Sequence, residues 1–251
     1  MIRAVTFDYW DTLYDGAAMP ERIAFRRAAL RRLVEELEHR ADAETLDRLY
    51  DASGVEAERW WREEQRGYTT ADRLRWVLHQ LGLTAPDGCA PLRRAVAAVD
   101  EALDRWPPPL LPGAAALVRR LSARVPLAIV SDTGFASGAA QDQLLARDGL
   151  RAQFAATVYS MDVGHCKPRR EPFAAAVAAL GVAPSEVLHV GDLERTDVRG
   201  ALDAGLRAVR LDVVTASGPS AAEYVAESFE ALETYLLDTV ERPQPASAAG
   251  D

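Results

Sequence analysis

Polar groups stand where the apolar, β-favouring runs of this chain end. Asp8 closes Ile2–Asp8, and Ser131 closes Val125–Ser131, with Asp132 and Thr133 next in line. Lys167 follows Ala155–Ser160 within Gly164-His165-Cys166-Lys167-Pro168, and Asp192 follows Val187–Gly191 with Asp197 five residues on. Carboxylates, a hydroxyl and an ammonium are the groups needed for attack on a phosphoryl centre with a divalent metal. Asp8 and Asp192 are candidate ligands for Mg²⁺, a hard ion that takes oxygen donors, and Asp197 is a candidate to orient a metal-bound water. The Ser131 hydroxyl and Lys167 ammonium would then bind phosphate oxygens. The backbone N–H groups of Asp132, Thr133 and Gly134 offer an anion-binding turn ahead of a helix.

The elements that position these groups are legible in the same pattern. In an open parallel sheet, ligands bind beyond the carboxyl ends of the strands, where these residues lie. With Arg207–Asp212 there are five predicted strands, and helical spacing marks Ala114–Ala123, Ser137–Asp148, Glu171–Leu180 and Asp197–Ala204. That alternation belongs to βαβ units. Residues 16–107 break it with helix after helix. Ile23, Leu30, Leu33, Val34 and Leu37 mark one apolar face, and Arg26, Arg27, Arg31 and Arg32 lie mostly on the other, an expected solvated face. Further helices are expected over Glu44–Glu64, Ala71–Leu81 and Pro91–Trp106, with an entry hinge near Asp15–Met19 and a stiff extended exit at Trp106-Pro107-Pro108-Pro109 that holds the insert at a fixed distance. The expected fold is α/β: a Rossmann-like, mostly parallel sheet from 1–15 and 108–240, an all-helical cap at 16–107, and a disordered tail at 241–251.

Composition excludes several classes. The 251 residues include 29 basic and 38 acidic side chains, a formal net charge of −9, which argues against nonspecific nucleic-acid binding. An anionic substrate therefore needs local cations. No apolar run is long enough to span a bilayer, and Met1-Ile2-Arg3-Ala4-Val5 enters a strand directly without a signal peptide, so no membrane partner and a cytoplasmic location are expected. Cys89 and Cys166 are expected to be reduced thiols. No dinucleotide fingerprint, P-loop, Gly-x-Ser-x-Gly elbow or His-Glu-x-x-His sequence is present.

The chain resembles the haloacid dehalogenase (HAD) superfamily of hydrolases, in its subgroup with a helical cap inserted after the first motif. The resemblance rests on Asp8-x-x-x-Thr12-Leu13, on Ser131, on Lys167-Pro168 leading into a helix, and on Gly191-Asp192-x-x-x-x-Asp197. It implies that the Asp8 carboxylate attacks phosphorus, that an aspartyl-phosphate forms, and that water hydrolyses it. It further implies Mg²⁺ bound by Asp8, the Trp10 backbone carbonyl and Asp192, with Asp197 beside them and Thr12 in the catalytic set. The implied substrate is a small phosphorylated metabolite, and the implied assembly a monomer or homodimer.

One position departs from the phosphatase pattern. The family's second Asp, two residues after the nucleophile, protonates the leaving group; here that position is Trp10, with Asp11 one residue later as a candidate substitute. Trp10 is also a candidate pocket wall that stacks on substrate. The dehalogenase branch likewise has an aromatic residue there, so L-2-haloacid dehalogenation is an alternative, with Arg22, Arg26 or Arg27 binding the substrate carboxylate. Asp192 favours the Mg²⁺-dependent form. A third alternative is a phosphate-ligand-binding protein with weak or no turnover. His189 is expected to be a satisfied core histidine, Arg169 and Arg170 a solvated pair, and Trp60 and Trp61 either pack inside the cap or line its underside.

Overall fold

The computed structural model describes residues 1–215 and 218–240; the tail expected at 241–251 lies outside them. The strands are β1 (Ala4–Phe7), β2 (Leu127–Ser131), β3 (Ala156–Tyr159), β4 (Val187–Gly191), β5 (Arg207–Leu211) and β6 (Tyr224–Ala226). They form one parallel sheet in the order β3-β2-β1-β4-β5-β6. The order reverses at β1, so the carboxyl end of β1 opens onto the crevice between diverging connections. The sheet has one strand more than the five expected. β6 is three residues long, too short to show an alternation, and pairs at the edge of β5.

The first four helices are α1 (Pro20–Glu36), α2 (Ala43–Arg59), α3 (Thr70–Gln80) and α4 (Ala90–Arg105). Pro20 fits the first turn of α1, where its missing N–H costs no bond. Asp42 caps α2 by accepting from Thr45, and Thr69 with Asp72 forms a capping box on α3. Leu30, Leu33, Leu46, Leu74, Leu78 and Leu92 share one apolar cluster, so these helices bury their stripes against each other. A wide turn at Trp60–Glu64 continues α2. The chain enters and leaves this bundle side by side: Asp15 N–H donates to Pro109 O at 3.0 Å, and Leu111 N–H to Leu13 O at 2.8 Å.

The remaining helices are α5 (Ala114–Ser122), α6 (Gly138–Arg147), α7 (Ser160–Val163), α8 (Arg170–Leu180), α9 (Arg199–Asp203) and α10 (Phe229–Thr239). Leu117, Leu144 and Leu232, from α5, α6 and α10, pack with Val5 and Phe7 on one face of the sheet. Phe173 and Ala201, from α8 and α9, pack with Ala4 and Ala128 on the other. Alternate residues of β1 thus serve opposite layers, and every β1 residue is buried. This two-sided cover explains why the strands are continuous apolar runs. The helix expected at Asp197–Ala204 starts as a wide turn at Glu194–Val198 before α9.

Candidate active site

The segments that follow β1, β3 and β4 bring five of the expected residues to one place. Asp8, one residue past β1, anchors its amide on Val190 O at 2.8 Å. Lys167 Nζ donates to Asp8 Oδ1 at 2.5 Å and to Asp197 Oδ1 at 2.6 Å. Thr12 Oγ1 lies 3.5 Å from Asp8 Oδ2, at the limit of a hydrogen bond. Asp192 completes the group: one oxygen from each of Asp8, Asp192 and Asp197 lies within 4.8 Å of the others. All of these side chains are buried. Gly191 makes the arrangement possible, because a Cβ there would sit 2.4 Å from Asp197 Cγ.

Three carboxylates against one ammonium make a strained electrostatic set. Burial, then the charges of Asp197 and Asp192, push Asp8 well above the usual carboxylate range despite Lys167. Burial and Asp197 push Asp192 up to about 7. Asp197 goes the other way: burial disfavours its charge, but Lys167 and the His189 hydrogen bond overcome that and hold it low. Lys167 is held above its ordinary value, since Asp197, Asp8 and Asp132 outweigh its burial. Converging, under-compensated oxygen donors are what a small hard cation neutralises, so this donor set fits Mg²⁺.

His189 is the satisfied core histidine expected, fully buried with a partner on each ring nitrogen, and one of those partners ties it to this network. Its Nδ1 lies 2.9 Å from Thr6 Oγ1 and its Nε2 3.3 Å from Asp197 Oδ1. Burial lowers its pKa, and in the neutral ring Nε2–H donates to Asp197 while Nδ1 accepts from Thr6. The parallel register Thr6↔His189 was the available signal: two polar residues in otherwise apolar neighbouring strands.

Asp8, Trp10, Asp11, Asp132, Lys167, Asp192 and Asp197 line a cavity of about 280 Å³. Its helical side is supplied by Glu58, Trp61 and Tyr68. Asp132 accepts from the Lys167 amide at 3.0 Å and from Trp61 Nε1–H at 2.7 Å. The Arg195 guanidinium lies over the Trp61 ring, 4.4 Å from its centroid. Trp61 therefore lines the cavity rather than packing inside the bundle. Trp10 packs edge-on to Tyr9, and Asp11, at φ 56°, accepts on Oδ1 from the Gly16 amide at 2.8 Å.

Two expected phosphate contacts are engaged within the fold. The Ser131 hydroxyl donates to Gln141 Oε1 at 3.0 Å, and Gln141 in turn donates to Thr133 O at 3.3 Å. Thr133 hydrogen-bonds Ser160 through its amide and hydroxyl. Nothing in the local sequence pairs Gln141, on α6, with Ser131. Cys166 is buried, its thiol pushed up to about 12 mainly by burial, and it donates to Arg66 O. Arg169 makes only a loose contact with Glu171, at 3.8 Å.

The first-helix arginines divide. Arg27 and Arg31 lie at the surface, as expected, and pair there with Asp51 and Asp47 on α2. Arg22 is instead 6% exposed, and Arg26 turns its guanidinium toward the Phe135 ring, 5.1 Å from the centroid. The solvated face expected for this helix is thus corrected at its first turns, which pack against the 133–136 loop.

Comparison with known proteins gives concordant results. A family model described as haloacid dehalogenase-like hydrolase matches residues 2–205. Glyceraldehyde 3-phosphate phosphatase of Methanopyrus kandleri is 30% identical over 227 residues, 84% of each chain. Phosphoserine phosphatase of Thermus thermophilus is 44% identical over 72 residues, so the match spans only 29% of that relative and 29% of this chain. Among solved structures, 2-haloacid dehalogenase from Pseudomonas syringae pv. Tomato is similar at a TM-score of 0.67 and 25% identity, over 95% of this chain and 99% of that one.

Proposed function

The chain belongs to the haloacid dehalogenase-like hydrolases, and from that premise we propose that it is a Mg²⁺-dependent phosphatase of a small phosphate monoester. The observation that carries this reading is the buried cluster in which Lys167 bridges Asp8 and Asp197 beside Asp192. Asp8, Asp192 and the Trp10 carbonyl would hold the cation, with Asp197 beside them. When bound, Mg²⁺ neutralises charge on the phosphoryl oxygens and keeps both carboxylates ionised.

The Asp8 carboxylate then attacks phosphorus, the ester oxygen departs, and water hydrolyses the resulting aspartyl-phosphate. Lys167 steadies both the nucleophile and the phosphoryl oxygens through its charge. His189 fixes Asp197, and Asp197 fixes Lys167, so the ammonium is held by residues that touch no substrate. The Ser131 hydroxyl reaches a phosphate oxygen by giving up Gln141, and the 132–134 turn closes the anion side. Residues 16–107 act as the cap over the core of 1–15 and 108–240, with Trp61 and Tyr68 walling the cavity against bulk water.

Trp10 cannot give a proton to the leaving oxygen, so turnover favours esters whose leaving groups need none. The test is phosphate release from an aryl phosphate and a set of alkyl phosphates, with and without Mg²⁺, using Asp8→Asn as the blank. Mg²⁺-dependent release, faster on the aryl ester and reduced about 10⁴-fold or more in Asp8→Asn, is the expected result. Release that persists in Asp8→Asn removes the nucleophile from the reading. The likeness to a 2-haloacid dehalogenase supports one rival. Halide release from 2-haloacids in the absence of any phosphate release would establish it.

A further inference from the structure

The wide turn at Trp60–Glu64 ends at Gln65, whose φ of 51° turns the chain out of the helical bundle and onto the core. There residues 65–67 pair with 164–166 through the backbone. Arg66 and His165 form an antiparallel bridge, Gly67 N–H donates to Gly164 O at 3.0 Å, and Cys166 N–H donates to Gln65 O at 3.2 Å. The Cys166 thiol adds a bond to Arg66 O at 3.1 Å. The approach is so close that a Cβ on Gly67 would lie 2.1 Å from Ser160 O. Trp61, in the same turn, makes a second connection: it donates to Asp132 Oδ2, while Asp132 Oδ1 accepts from the Lys167 amide.

The amides that lead into the Lys167 ammonium therefore depend on partners supplied by the bundle. Cys166 N–H is held by it directly, and Lys167 N–H is held through Asp132, whose other oxygen is bound by Trp61. Residues 164–167 lie between α7 and α8, outside any helix or named strand, so no regular hydrogen-bond ladder of the core fixes them. Yet Lys167 Nζ must meet two carboxylates at 2.5 and 2.6 Å. We propose that docking of residues 65–67 on 164–166 positions Lys167 for the reaction, so that Gly67 is a positioning residue and the bundle sets the ammonium as well as covering the cavity. The proposal deepens the phosphatase reading and rests on it for its kinetic arm alone. A methyl on Gly67 meets a backbone oxygen and cannot be seated without parting the two segments by about 1 Å, and a misplacement of that size costs about 100-fold in rate.

Two features of the sequence make the test specific. Lys167 is the only lysine of the 251 residues, so labelling with ¹⁵N-lysine gives a single amide resonance, that of the N–H bound to Asp132. In a Cys89→Ser background Cys166, 1% exposed beneath the docked segment, is the only thiol. In that background Gly67→Ala is expected to shift the lysine resonance and to speed the reaction of Cys166 with a disulfide reagent by about tenfold or more, the factor that one lost hydrogen bond allows. It is expected to lower kcat for an aryl phosphate with Mg²⁺ about 100-fold. Gly54→Ala, on α2 with its nearest neighbour 3.5 Å away, is the control and changes none of the three. A kcat kept in Gly67→Ala, or a fall in kcat with the resonance unmoved, overturns the proposal. If Gly67→Ala does not fold, Trp61→Phe, which adds no atom, must shift the resonance, and an unmoved one overturns it. If no ester releases phosphate, the phosphatase reading fails, and the other two readouts decide the positioning alone. A moved resonance with a faster thiol supports it, and an unmoved resonance overturns it.

Discussion

In the cavity at the carboxyl edge of the sheet, Lys167 meets Asp8 at 2.5 Å and Asp197 at 2.6 Å, whereas in an adjoining cavity of about 330 Å³ Arg22 gives a bond to a backbone carbonyl and keeps a buried Nε unpaired. The first region satisfies its cation and has carboxylates left over; the second has Arg22 and Arg26 in a wall that also carries Asp11, whose Oδ1 accepts from the Gly16 amide. Removing one partner of a buried ion pair is costly because the other charge is left uncompensated.

Stability separates the two regions most sharply. Lys167→Met leaves Asp8 and Asp197 facing each other in a dry site, and breaking such a buried arrangement is expected to cost about 3–5 kcal/mol. Arg22→Met removes an uncompensated charge and one bond to a carbonyl, so its effect is expected to stay within about 1 kcal/mol. Urea unfolding of both variants checks this. Equal losses would mean that Arg22 is as much a part of the fold as Lys167, and the contrast between the cavities would collapse.

Proton linkage gives a smaller, graded effect confined to the first region. Asp192, raised to about 7 by burial and Asp197, binds a proton in the folded state over a pH range where the unfolded chain has lost it. Stability without divalent cations should therefore fall as pH rises from the ordinary carboxylate range to about 7. The slope reaches about 1.4 kcal/mol per pH unit for each such group. Asp8, raised for the same reasons, acts in the same direction. Mg²⁺ competes with those protons, so the stabilisation it brings should be slight at pH 5 and grow toward pH 7. Thermal melts at three pH values with and without MgCl₂ measure it. A Mg²⁺ effect independent of pH would remove Asp192 and Asp8 from the metal site.

The two regions also differ in how far they could be read from sequence. Strand ends are fixed by apolar runs covered on both faces, so Asp8, Lys167, Asp192 and Asp197 were placed by counting from those runs. His189 sits in the core as its apolar run implies, but its bond to Asp197 depends on how the turn after β4 folds back, which is not written locally. Ser131 was found for the same reason as Asp8, but its partner Gln141 comes from a neighbouring helix through packing. Helical periodicity divides α1 into an apolar and a basic side, which was right for Arg27 and Arg31. It fails for Arg26, which faces the Phe135 ring of a loop distant in sequence, and for Arg22, whose Nη2 turns back to Ala17 O. The short β6 left no periodic trace.

The smallest expected effect tests whether the cavities act independently. Trp61 reaches across from the helical bundle and donates to Asp132 at 2.7 Å, while Thr70 and Phe135 tie the same bundle to the loop beside the second cavity through a 2.6 Å bond. Trp61→Phe keeps an aromatic ring beneath Arg195 and deletes only the N–H. Asp132 retains the Lys167 amide, so the expected loss is about 1 kcal/mol, the net worth of one intramolecular hydrogen bond. Because that bond closes the first cavity only, Trp61→Phe should move the Lys167 amide resonance, and Thr70→Val, which deletes the bond beside the second cavity, should leave it in place. A Thr70→Val variant that moves the resonance as Trp61→Phe does would mean that the bundle sets both cavities through one motion, and Lys167 would then be placed by closure of the whole bundle rather than by residues 61–67.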